Sequence, residues 1–206
     1  GDKGHPYAGF LYASNACNVT FQNCFVDGHK RYDKRNERGK TVAMGSYGYG
    51  ARGVTNFTLR NCHMHGIMDR TRWGVIAANY CKNILVEDST LSRMDSHMGV
   101  SGFYIIRGST LGYMGLKAVG RGRIVIEDST IKSPAFVDLR SDYGGTWGGT
   151  VVIRNSRWEP VSSGRAGLHL INSRNDGTHN FGYPTYLPEE IIVDGLYLDD
   201  FFTDLP

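Results

Sequence analysis

No apolar run in this chain of 206 residues approaches the ~20 residues of a membrane-spanning helix. An excess of one charge is missing too. Lys and Arg number 23 against 20 Asp and Glu, and a net charge of +3 excludes a strongly basic nucleic-acid binder. Only four cysteines occur, at Cys17, Cys24, Cys62 and Cys81. Without a CxxC pair or a Cys/His spacing they make neither a disulfide framework nor a zinc site. The glycine-rich loop 141–149 lacks the GxxxxGK[ST] pattern and no helix pattern follows it, so it is no phosphate cradle. The first residues, Gly1 to Pro6, do not form a signal peptide.

What the chain does have is a short strand pattern that recurs about seven times. It reads Phe21-Gln22-Asn23-Cys24-Phe25-Val26, then Leu59-Arg60-Asn61-Cys62-His63-Met64, then Val86-Glu87-Asp88-Ser89-Thr90-Leu91. It continues as Ile106-Arg107-Gly108-Ser109-Thr110-Leu111, Ile126-Glu127-Asp128-Ser129-Thr130-Ile131 and Ile153-Arg154-Asn155-Ser156-Arg157-Trp158, with a weaker copy at Val193-Asp194-Gly195-Leu196-Tyr197-Leu198. Such units bury their apolar faces only against one another. Val86, Ile106 and Ile126 are spaced by 20 residues each, and the other gaps are longer. That spacing, with β-branched and aromatic residues between Gly and Asn corners, predicts coils of short strands. Cys24 and Cys62 share a repeat position, so they should stack inside adjacent coils as small hydrophobes. Cys17 and Cys81 fall at turns of non-adjacent coils. Asn18 and Asn56 head glycosylation sequons, but with Asn83 they each precede the repeat by three residues. They are expected to form a ladder of turn amides inside the solenoid.

These coils resemble the right-handed parallel β-helix of the pectate-lyase-like superfamily, from about Tyr7 to Leu198. The resemblance implies an all-β, single-stranded right-handed parallel β-helix (a solenoid) of about seven coils. Stacked at ~4.8 Å, they make a rod roughly 30 Å long. One domain, 1–206, is expected, with insertions at about 28–46, 141–149 and 174–188. In the first of these, Lys30, Arg31, Lys34, Arg35, Arg38 and Lys40 outnumber Asp33 and Glu37. It reads as a solvated loop or as an arm that attracts an acidic polymer. A strand-like segment starts almost at once, at Gly9-Phe10-Leu11-Tyr12, with no capping-helix pattern before it. An uncapped solenoid end exposes apolar core, so an excerpt of a longer, exported protein is expected. The fold resemblance places it outside the cell, in the periplasm or at a cell surface. A monomer is expected unless the rod belongs to a trimeric spike.

Candidate chemistry gathers where four coils align. Equal spacing stacks His97 on Lys117, with Asp95 just before the one and Tyr113 just before the other. In Phe136-Val137-Asp138-Leu139-Arg140-Ser141-Asp142, alternation puts Phe136, Asp138, Arg140 and Asp142 on one face. The preceding coil adds Arg72 and Trp73. Singly, each of these is an ordinary structural residue. Together they converge opposed charges, an imidazole and aromatics on a rigid scaffold. Trp73, Tyr113, Tyr143 and Trp147 offer faces on which sugars stack, the last two in a glycine-rich loop that could act as a flap. His169 joins the substrate-binding candidates.

Many members of the superfamily are polysaccharide lyases or glycoside hydrolases; others are tailspikes or adhesins. An acidic polysaccharide is therefore the expected partner. In a lyase, Lys117 is the base, Arg140 its partner or a carboxylate clamp, and Arg72 a second clamp, with His97 and Tyr113 beside them. Asp95, Asp138 and Asp142 could hold Ca²⁺ as a bridge to substrate. In a hydrolase the same aspartates would supply the acid and the base. The Gly-His-Gly element of polygalacturonase-type β-helix hydrolases is absent, which favours elimination. A third reading, a glycan-binding rod without catalysis, stays open.

Overall fold

An Asn, Asp or Gly recurs in every coil because one corner of the fold demands a left-handed backbone. Asn23, Asn61, Asp88, Gly108, Asp128, Asn155 and Gly195 have φ between +41° and +79°. Only Gly, and next to it Asn and Asp, enters that region at little cost. The computed structural model describes residues 9–26, 32–35, 41–44, 47–68, 74–140, 146–160, 167–173 and 185–199.

The first coil contains β1 (Gly9–Ser14), β2 (Cys17–Gln22) and β3 (Phe25–Val26). An antiparallel hairpin, β4 (Tyr32–Arg35) and β5 (Thr41–Met44), lies within the first insertion. The coils resume with β6 (Tyr47–Arg52), β7 (Thr55–Arg60) and β8 (His63–Met64), then β9 (Gly74–Asn79), β10 (Lys82–Glu87) and β11 (Thr90–Asp95). There follow β12 (Val100–Arg107), β13 (Thr110–Ala118), β14 (Gly120–Glu127), β15 (Thr130–Ile131) and β16 (Ala135–Leu139). The last are β17 (Trp147–Trp158), β18 (His169–Ser173) and β19 (Pro188–Leu198).

Among the described residues, parallel pairing sorts the strands other than β4 and β5 into three faces of seven rungs each. The first face is β1, β6, β9, the ends of β11 and β13, β16 and β18. The second is β2, β7, β10, β12, β14 and the leading parts of β17 and β19. The third is β3, β8, the starts of β11 and β13, β15 and the ends of β17 and β19. The chain is thus an all-β parallel β-helix. Among the described residues no helix is long and apolar enough to cross a membrane.

Inside, like residues stack in files. Met94, Leu116 and Val137 continue one another on the first face, and Val86, Ile106, Ile126 and Ile153 on the second, all fully buried. The serine that follows the left-handed residue forms an internal ladder. The amide N–H groups of Cys62, Ser89, Ser109 and Ser129 donate to the hydroxyls of Ser89, Ser109, Ser129 and Ser156 at 3.0–3.3 Å. Each hydroxyl donates in turn to the carbonyl two residues earlier. Cys24 and Cys62 take the same position, and burial pushes the Cys62 thiol's pKa up, which keeps it an inert hydrophobe. Ser109→Ala would orphan the buried Ser89 N–H, at an expected cost of about 1–3 kcal/mol. Urea denaturation would measure it, and an unchanged midpoint would contradict the ladder.

The predicted amide ladder is present. Asn56 donates to Asn18 at 2.8 Å and Asn83 to Asn56 at 2.9 Å. It runs outside the solenoid rather than inside, because each Asn takes a left-handed φ within its strand and turns its amide outward. On the outer second face, charges alternate up the rungs. Glu87 is paired by Arg60 at 2.9 Å and by Arg107 at 3.4 Å, and Arg107 also pairs with Glu127 at 2.5 Å.

The corner between the second and third faces is a uniform short turn. The segments bordering the first face vary, with 27–46 and 65–73 at one edge and 140–146 and 174–187 at the other. Function in a rigid scaffold concentrates beside such variable connections.

Candidate functional site on the first face

Outward-facing residues of the first face form a file in which Asp95, Lys117, Asp138 and Asn172 occupy successive rungs. Lys117 Nζ donates to Asp138 Oδ2, and Asn172 donates to Asp138 Oδ1 at 3.0 Å. Both members of the Lys117–Asp138 pair are partly exposed, at 26% and 20%. They sit in a cleft of about 430 Å³ whose lining includes Tyr113, Ser133, His169 and Asn172. His169 is exposed and pairs in register with Ala135.

Beside this cleft is a buried charged cluster centred on Asp95, which has no exposed surface. Arg93 donates to Asp95 Oδ2, His97 Nε2 lies 2.8 Å from the same oxygen, and Arg140 donates to Oδ1 at 2.7 Å. Arg93 was not foreseen, although it stands two residues before Asp95 in one strand and so shares its face. Its burial follows from a crossing segment. The N–H of Tyr113 bonds the carbonyl of Ile67 at 3.1 Å, so the chain after β8 spans the rung carrying Ser92 and Arg93. Gly112 is required there, since a Cβ would lie 2.0 Å from that carbonyl oxygen.

Several expectations are corrected. His97 does not stack on Lys117; Asp95 does. Between Leu91 and Arg93 there is one residue, but between their partners Leu111 and Gly115 there are three. The two extra residues are recovered at the next corner, so the total coil length hides the slip. Phe136 does not share the outer face with Asp138. It is fully buried, edge-on to Trp158 with ring centroids 6.0 Å apart. Trp147 presents no stacking face, being fully buried with its Nε1 donating to the carbonyl of Gly122 at 3.1 Å. The glycines after it are strand, not flap. Gly149 stacks on Gly122 and Gly102, where a Cβ would strike backbone at 2.3 Å.

Of the three aspartates, the two that are described do not suit Ca²⁺. Asp95 spends both oxygens on Arg and His, and Asp138 spends both on Lys117 and Asn172. Among the described residues no group of three or more His, Cys, Asp or Glu could hold a metal ion. Arg72, Trp73, Asp142 and Tyr143 lie outside the described residues.

The structure therefore brings together Tyr113, Lys117, Asp138 and His169, with Asp95, His97 and Arg140 beside them. It adds Arg93 and Asn172. Asn172 was hidden because its strand could be aligned only once Val137 was seen to pair with Ile171. Chemically, the cleft offers a cation, a carboxylate, an imidazole and a phenol on a rigid floor.

No protein-family model matches the chain, and no solved structure matches it. Over 149 residues it is 27% identical to a capsule KL64-specific depolymerase of Klebsiella phage P510. That stretch covers 61% of this chain and 14% of the depolymerase.

Proposed function

We propose that this β-helix binds and cleaves an acidic polysaccharide, met at or outside a cell surface, by β-elimination in the first-face cleft. The observation that carries the reading is the Lys117–Asp138–Asn172 file. It lies in a cleft with Tyr113 and His169, on the one face bordered by long connections at both edges. The similarity to a capsule depolymerase supports a polysaccharide as the polymer, and the pectate-lyase-like resemblance supports elimination.

Elimination needs three things: a cation on the uronate carboxylate, a base for the proton next to it, and a donor for the departing oxygen. Lys117 serves best as the cation. Its ammonium donates to Asp138, and to act as base it would first have to give up that partner. His169, which lines the cleft, takes the proton from the ring carbon on the lone pair of its neutral imidazole. The electron pair left behind forms the new double bond as the glycosidic C–O bond breaks, and Tyr113 returns a proton to the leaving oxygen. Arg140 and His97, turned to Asp95, hold the edge of the site. A hydrolase would need two accessible carboxylates. Asp138 alone of the described candidates faces the cleft.

The test is incubation of the protein with KL64 capsule, polygalacturonate, alginate and hyaluronate. Ultraviolet absorbance of an unsaturated uronate is the expected result. New reducing ends without that absorbance would replace elimination by hydrolysis. Binding without either product would reduce the protein to a binding rod.

A further inference from the structure

Tyr80 occupies a backbone conformation that its side chain resists. The pairings Cys17 with Thr55 and Thr55 with Lys82 align Asn15, Gly53 and Tyr80 at the corner from the first face to the second. Their φ values are +50°, +60° and +61°. Asn and Gly are the residues that tolerate this region; in Tyr the Cβ presses on the neighbouring carbonyl. Packing does not repay the strain, because Tyr80 is 58% exposed. Backbone strain of this kind clusters at active sites and ligand clamps.

The surroundings suit a flat ligand. Counting back from the pairing of Lys82 with Ser101 sets Gly99 beside Tyr80 in the next coil. A Cβ at Gly99 would meet nothing within 4 Å. Tyr80 thus has open space over Gly99 on one side, while on the other the Asn15 amide covers Gly53. His97 lies two residues before Gly99, which places it within roughly 10 Å of Tyr80 by rung spacing. Its imidazole faces Asp95, next to Lys117 in the file.

We propose that Tyr80 is a sugar-stacking subsite, extending the binding surface from the first-face cleft around the corner past His97. It takes a pyranose ring of the same polymer, a few residues from the bond that is cut, so it rests on the polysaccharide reading above. An amphipathic sugar face on an exposed phenol ring is a stable contact in water. The strain then sets the direction in which the ring is held.

Binding of KL64 capsule and polygalacturonate to wild type, Tyr80→Gly, Tyr80→Asn and Tyr80→Phe tests this. Gly and Asn are the residues the same corner uses in other coils. The subsite predicts that both weaken binding by about 10-fold, that Tyr80→Phe does not, and that neither lowers the thermal midpoint. A merely structural tyrosine would lower the midpoint and leave affinity alone. Wild-type binding that Tyr80→Gly and Tyr80→Asn leave unchanged overturns the subsite and spares the cleft. Failure of wild type to bind either polymer overturns the functional reading and the subsite with it.

Discussion

Asp95→Asn is expected to destabilise the fold by about 3–5 kcal/mol, the usual cost of removing one partner from a buried ion pair. The carboxylate has no exposed surface and faces Arg93, Arg140 and His97, whose side chains are only 7%, 12% and 22% exposed. An amide of the same shape keeps the packing but removes the negative charge. Arg93 and Arg140 then both lose the carboxylate charge that they share. Against a total stability of about 5–15 kcal/mol, that loss is a third or more. Glu87 on the outer second face is the contrast. It too faces two arginines, at 45% and 49% exposure, and Glu87→Gln should cost less than ~1 kcal/mol. Denaturant midpoints of the two variants measured together decide the matter. Equal losses would mean that the Asp95 cluster is solvated. Asp95→Asn should also slow turnover in what remains folded, because Asp95 positions Arg140 and His97.

The repeat made the fold legible because the same physical demand recurs at each coil. A left-handed corner selects Asn, Asp or Gly, and the next side chain must satisfy buried amides, which selects Ser or accepts Cys. The site was legible only in part. Lys117, Asp138, Tyr113 and His169 were named from their chemistry, and they do line one cleft. Their vertical order was not readable. The bulge at 112–114 and the shorter corner after Lys117 cancel, so a period of 20 residues fits both the true and the slipped register. Trp147 misled for a similar reason. A tryptophan next to paired glycines reads as a loop platform, but both glycines are in a strand, and Gly149 continues a file set by Gly102 and Gly122, where only backbone fits. Tyr80 escaped notice because its significance lies in a φ angle, and nothing in the residues around it signals that.

Lys117→Met should reduce turnover by about 10²–10³-fold, the usual loss when one group stabilising a developing anion is removed. The fold should survive, since the ammonium is partly exposed and the methionine chain can follow the aliphatic stem of lysine. Asp138 would lose its cation but keep the Asn172 bond and partial access to water. The choice of role then depends on Lys117→Arg. Guanidinium keeps the positive charge that neutralises a uronate carboxylate but cannot act as a base. If Lys117 is the clamp, Lys117→Arg recovers a large part of the activity, and His169→Gln lowers kcat with little change in KM. If Lys117 is the base, Lys117→Arg is as inactive as Lys117→Met and His169→Gln is nearly harmless. Full turnover in Lys117→Met would remove the first-face cleft from the chemistry altogether, because no other described lysine or arginine lines it.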